Sequence, residues 1–205
     1  MMKKRLFSSV LIAMVAACVL AGIPLFADAG EPTDHVRETV DEVIKILNDK
    51  ELKKPERQRD RESKIRQAVL KRFDFEEMAK RSLSIHWKDR TPAERKEFVM
   101  LFTDLLEDTY IKKVERYENE KVVYVDERID GSYATVKTKI VDSKGTGIPV
   151  DYRIMKKAEK WDIYDIIVEG VSLVNNYRTQ FTQIMRSGSY ADLVKRLKEK
   201  VGKKG

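Results

Sequence analysis

Cysteine occurs once in the 205 residues, at Cys18, and histidine twice, at His35 and His86. The cysteine lies within the long apolar run near the start, so a chain that loses that run has no disulfide and no thiol nucleophile. Its stability must then come from packing. The two histidines are separated by two predicted helices, and neither stands in a zinc-ligand pattern. There is no HExxH, no GxSxG elbow and no glycine-rich phosphate loop. Asp162 and Asp165 tempt as a carboxylate pair, but three residues apart on a strand they point to opposite faces. The chain is therefore read as a non-enzyme with no metal site and no cofactor.

Charge of a single sign is missing as well. Lys and Arg number 41 against 34 Asp and Glu, for a net charge of +7, and the two signs interleave throughout. A nucleic-acid groove needs clustered basic residues among exposed aromatics. Tyr124 and Tyr133 do occur near Lys137 and Lys139, but the export signal predicted below removes most of the case, and no nucleic acid is expected. A weak attraction to anionic membrane surfaces is the more economical use of the excess.

The front end reads as an export signal over residues 1–29. MMKKR is a positive n-region, LFSSVLIAMVAACVLAGIPLFA an apolar stretch, and Ala27-Asp28-Ala29 a small-x-small cleavage pattern. A retained membrane anchor and lipidation at Cys18 are the alternatives. Cleavage after Ala29 removes Lys3, Lys4, Arg5 and Asp28, lowering the net charge from +7 to +5. It leaves residues 30–205, a length suited to one domain with a substantial core.

Helical spacing governs the first half of that domain. Val36, Val40, Val43, Ile44 and Leu47 form a stripe on a helix running to about Asn48. Pro55 opens a second helix with a thin apolar side of Ile65, Val69 and Leu70. Asp74 with Glu77 predicts a capping box for a third. Ser84 to Arg90 reads as a connector containing Trp87. Thr91, Pro92 and Glu94 then start a long helix to about Tyr117, whose broad face carries Phe98, Leu101, Phe102, Leu105, Leu106 and Thr109.

Alternation takes over next. Val122–Glu127, Tyr133–Val141, a third strand with Ile148, Val150, Tyr152 and Ile154 on one face, and Trp161–Val168 are joined by short turns. Four such strands in sequence predict an antiparallel meander. On the last, Trp161, Ile163, Asp165 and Ile167 share a face by parity, and a carboxylate buried there must be paired, with Arg153 or Arg178 in reach. Helical spacing returns at Val171, Val174, Tyr177, Phe181 and Ile184, ending near Gly188. Ser189 with Asp192 caps a final helix bearing Tyr190, Leu193, Leu197 and Val201. The fold class is α+β: one domain with helices gathered on one face of a curved four-stranded sheet.

Several segments together resemble the periplasmic phospholipid-binding MlaC family, also called the toluene-tolerance family. They are FDFEEMAKRSL at 73–83, HW at 86–87, TPAERKEFVMLFTDLLEDTYIKKVERY at 91–117, IPVDYRI at 148–154 and WDIYDIIVEGVSLVNNYRTQFTQIM at 161–185. Before the tryptophan, where the family has a glycine, this chain reads RSLSIHW. The resemblance implies an NTF2-like sheet covered by N- and C-terminal helices that enclose an apolar cavity. It implies a carrier of diacyl phospholipid in the periplasm. The carrier would pass lipid between an inner-membrane ABC transporter complex with an MCE-type component and an outer-membrane lipoprotein–porin complex, with transient membrane-surface contact. Trp161, Asp165, Gly170, Val171, Ser172, Asn176, Tyr177, Arg178 and Phe181 fall on the family's signature positions.

The expected lipid-contacting residues are Phe98, Leu101, Phe102 and Leu105 on the long helix, Val150, Tyr152, Ile154, Ile163 and Ile167 on the sheet, and Val171, Val174, Tyr177 and Phe181 beyond it. Asn176 and Arg178 are candidates for the mouth or headgroup. Two other functions compete: an NTF2-like small-molecule enzyme using Asp165 and Tyr152, and a lipid-free adaptor between envelope proteins.

Overall fold

Reciprocal capping boxes start two of the helices. Thr91 accepts a hydrogen bond from the Glu94 amide while Glu94 accepts from the Thr91 amide, opening α4 (Pro92–Val114). Ser189 and Asp192 do the same for α6 (Tyr190–Val201). At α3 (Phe75–Leu83) the exchange is one-sided: Asp74 accepts from the Glu77 amide, but the Glu77 carboxylate turns to Lys80 and Arg81 instead. The remaining helices are α1 (Glu31–Asn48), α2 (Gln58–Leu70) and α5 (Leu173–Ser187), with 3-10 turns at Pro55–Arg57 and Ser84–Trp87. The computed structural model describes residues 30–117 and 120–202, so the expected signal over 1–29 lies outside the described residues.

Among the described residues the sheet has five strands rather than the expected four, and it is open. They are β1 (Lys121–Asp130), β2 (Tyr133–Val141), β3 (Gly147–Lys157), β4 (Lys160–Val168) and β5 (Val171–Ser172), antiparallel and in sequence order. The added strand has a local cause. Glu169 and Gly170 both take positive φ, 50° and 81°, as a two-residue hairpin turn demands. The chain folds straight back, Val171 pairs with Val168, and Ser172 pairs with Ile167. The helix therefore begins at Leu173 with Ser172 as its N-cap, two residues after the apolar period suggests.

The outer edge of β4 is shared between two partners. Its first half is bridged in parallel by Phe73 opposite Ile163, through Asp74 N to Ile163 O at 2.9 Å and Ile163 N to Arg72 O at 2.8 Å. Its second half pairs with β5. Between them the register against β3 slips: Ile154 opposes Ile163, but Arg153 opposes Asp165. Tyr164 is the extra residue of this β-bulge, which reverses the parity of everything after it. The expected grouping of Asp165 and Ile167 with Trp161 and Ile163 is thereby corrected. Asp165 turns to the Arg153 face, and Ile166, opposite Tyr152, takes the inward position expected of Ile167.

The helices enter two apolar clusters, and α2, which packs against both α1 and α4, links them. α1 lies against β1, β2 and β4. There Val36 is buried in a cluster with Ala134, Val136, Ile154, Trp161 and Ile163. Its start is clamped across the sheet, since Glu127 accepts from the Thr33 amide at 2.7 Å and Lys156 pairs with Glu31 at 3.1 Å. α3, α4, α5 and α6 make a second cluster, and α3 and α5 meet the sheet at β4. Its rings interlock: Phe102 lies edge-on to Tyr177 at 5.3 Å and Phe98 edge-on to Phe181 at 5.6 Å. Phe73 packs against both clusters.

Candidate functional site

The predicted apolar positions divide between these clusters. Phe98, Phe102 and Leu105 from α4 meet Val174, Tyr177 and Phe181 from α5 inside the helical cluster, with Leu101 partly covered at its margin. Ile154 and Ile163 belong to the sheet cluster, where Tyr152 and Ile166 are partly buried neighbours. Val150 is buried on the same β3 face. Ile167 lies opposite Asp151 and Ser172 and belongs to neither cluster. Val171 is 61% exposed at the β5 turn.

Sequence reasoning missed Ile166, and also Val36, Val40, Phe73 and Tyr124, which close the sheet cluster. One signal for Ile166 was present: the run Ile166-Ile167-Val168 breaks strict alternation, as a bulge allows. The contribution of α1 follows from its Val36 and Val40 stripe once the helix is known to lie across the strands.

Tyr152 and Tyr124 put hydroxyls into this apolar zone. Tyr152 lies deep in the protein, where burial pushes its hydroxyl up to about 12, yet its side chain retains accessible surface. The Tyr124 hydroxyl is buried without a hydrogen-bond partner among the described residues, and its pKa is raised first by burial and then by Tyr152. On the helical side, burial pushes Tyr110 up to about 12, with a contribution from Tyr177 beside it. These hydroxyls stay neutral at ordinary pH and can donate a hydrogen bond without bringing charge among apolar groups.

Asp165 is an organising residue of the strand-to-helix junction. It is 2% exposed. Its Oδ2 accepts from Ser172 Oγ at 2.6 Å and its Oδ1 from the Val174 amide at 3.0 Å, while Arg153 Nη1 lies 3.4 Å away. Ser172 Oγ in turn accepts from the Asn175 amide at 3.0 Å. The carboxylate thus satisfies two donors at the start of α5. Of the two predicted partners, Arg153 reaches it, whereas Arg178 donates from Nε to the Arg81 carbonyl at 2.9 Å.

Beside this junction opens a pocket of about 620 Å³, lined by Arg81, Arg153, Tyr164, Asp165, Val171, Asn176 and Arg178 among others. Both mouth candidates, Asn176 and Arg178, are therefore on its wall. The alternative acid–base pair is not assembled, because Tyr152 opposes Ile166 while Asp165 opposes Arg153, on opposite faces of the sheet. Among the described residues no group of three or more His, Cys, Asp or Glu is arranged to hold a metal. His35 has a ring nitrogen 2.8 Å from Arg72 Nη1.

An open antiparallel meander, docked at its last long strand against a helical bundle and enclosing two apolar clusters, defines an α+β binding domain. The chain belongs to the MlaC protein family, whose model matches residues 37–199. It is 21% identical over 140 residues to the intermembrane phospholipid transport system binding protein MlaC of Haemophilus influenzae, covering 66% of this chain and 65%, just under two thirds, of that protein. It is 26% identical over 181 residues to the toluene tolerance protein ttg2D of Pseudomonas putida, covering 85% and 83%. Among solved structures it resembles the phospholipid-binding protein of Ralstonia solanacearum in complex with a phospholipid. That match has a TM-score of 0.75 and 26% identity, covering 85% of this chain and 98% of that one.

Proposed function

We propose that this protein is a phospholipid-binding transport protein that carries diacyl lipid through the periplasm between an inner-membrane ABC transporter complex with an MCE-type component and an outer-membrane lipoprotein–porin complex. The observation that carries the reading is the close structural match to a relative solved with phospholipid bound. Two separate apolar clusters, with the partly covered Tyr152, Ile166 and Leu101 at their margins, support it. Acyl chains would lie between the sheet face and the helical cluster, so the NTF2-like expectation for the sheet belongs to this proposal.

Energetics favour a shuttle that exchanges only while docked. Burying two long acyl chains is worth on the order of 25 kcal/mol, at roughly 0.8 kcal/mol per CH2. A bilayer offers nearly the same, so exchange with a membrane is close to balanced while escape into water is forbidden. No helix among the described residues is long and apolar enough to cross a membrane. Native mass spectrometry of protein purified without detergent should show a bound diacyl lipid. Persistently lipid-free protein that also refuses lipid from liposomes would sink the proposal and favour the adaptor reading.

A further inference from the structure

We infer that the pocket beside β4, β5 and α5 is an oxyanion site in which Arg81, Arg153 and Arg178 hold a phosphate group. Three elements, α3, β3 and α5, each contribute one guanidinium to a cavity of about 620 Å³, room for a phosphate with a small organic substituent. Guanidinium groups match tetrahedral phosphate by paired N–H donors, and arginine is the residue suited to that geometry.

Two of the three are held in place by contacts that leave donors unspent. Arg81 lies over the Tyr164 ring at 4.2 Å, with its Nε on Glu77 at 2.8 Å. Arg178 spends its Nε on the Arg81 carbonyl and forms no ion pair among the described residues. The nearest acids do not cancel this charge. Glu77 is shared between Lys80 and Arg81. Asp165 accepts from Ser172 and the Val174 amide in addition to its contact with Arg153. Val174 belongs to the helical cluster and also lines the pocket, so a phosphate here borders apolar interior on one side and solvent on the other. A lipid headgroup is one source of such a phosphate, and this source rests on the proposed function. A free phosphomonoester is the other source of the same chemistry.

The test uses glycerol 3-phosphate as the probe and phosphorus NMR as the readout. Protein stripped of lipid should bind glycerol 3-phosphate, and Arg153→Gln/Arg178→Gln should weaken binding at least tenfold while the circular dichroism melt stays near that of the parent. Arg178→Gln alone, expected to weaken it severalfold, serves if the double variant does not fold. With lipid bound, exclusion of the probe and a moved phosphorus resonance in the variant assign the site to the cargo headgroup. Continued binding of the probe assigns it to a free phosphomonoester. Equal affinity of parent and variants for the probe, with an unmoved lipid resonance, overturns the inference even if lipid is carried. A complete absence of lipid would instead count against the proposed function, and the probe would still decide the pocket.

Discussion

Ser172 donates a 2.6 Å hydrogen bond to Asp165, and the same hydroxyl accepts the Asn175 amide, so one serine ties strand β4 to the first turn of α5. Asp165→Ala strands the Ser172 hydroxyl and the Val174 amide, each of which costs about 1–3 kcal/mol when buried without a partner. Urea unfolding should show a loss of roughly 2–4 kcal/mol, within the range of a broken buried network. A loss below about 0.5 kcal/mol would show that the network contributes little.

Val171 and Val174 stand three residues apart but in opposite environments, 61% and 2% exposed. Val171→Glu should leave the melting temperature unchanged to within a degree or two, since exposed substitutions stay within about 0.5 kcal/mol. Val174→Glu places an unpaired charge in the helical cluster and should abolish cooperative folding. Equal effects of the two in thermal melts would contradict the β5 hairpin.

Ser84 closes α3 with φ 56° and ψ −128°, a conformation suited to glycine. Such a residue stores roughly 1–3 kcal/mol of strain. Ser84→Gly should therefore stabilise the protein by about 1 kcal/mol, a rise of about 2–4 °C in melting temperature for a domain of this size. A calorimetric decrease would refute the strain argument.

Burial pushes the Tyr152 hydroxyl up to about 12 from 10.0. Between those values the folded state holds a proton that the unfolded chain releases, so Tyr152 contributes stability that is complete below pH 10 and is lost as pH rises toward 12. The Tyr152→Phe protein should lose less stability than the parent across that window while keeping its lipid load. An identical pH slope would place the hydroxyl in water.

Most of the helical framework was legible because its signals are local. The Thr91 and Ser189 caps, the α1 stripe and the α4 face are patterns over a few residues, and each element lies near its predicted bounds. Helical spacing marked Phe102 on one apolar face and Tyr177 and Phe181 on another, while the meeting of these rings is a result of tertiary packing.

By itself the sequence determined the helices, the four long strands and their order, since period, turn residues and caps act within one or two turns of chain, while it read Val171 and Ser172 as the start of a helix. Tertiary structure alone decided which face Asp165 and Ile167 present. The bulge at Tyr164 arises where β4 changes edge partner from residues 72–74 to β5, and those partners are brought together across some ninety residues of chain in one case and by a two-residue turn in the other. A one-residue slip costs little in local propensity but inverts every later side chain; the run Ile166-Ile167-Val168 allows such a slip without saying where it falls. The convergence of Arg81, Arg153 and Arg178 is of the same kind: three residues unrelated in the sequence become neighbours because α3 and α5 both pack at the outer edge of β4.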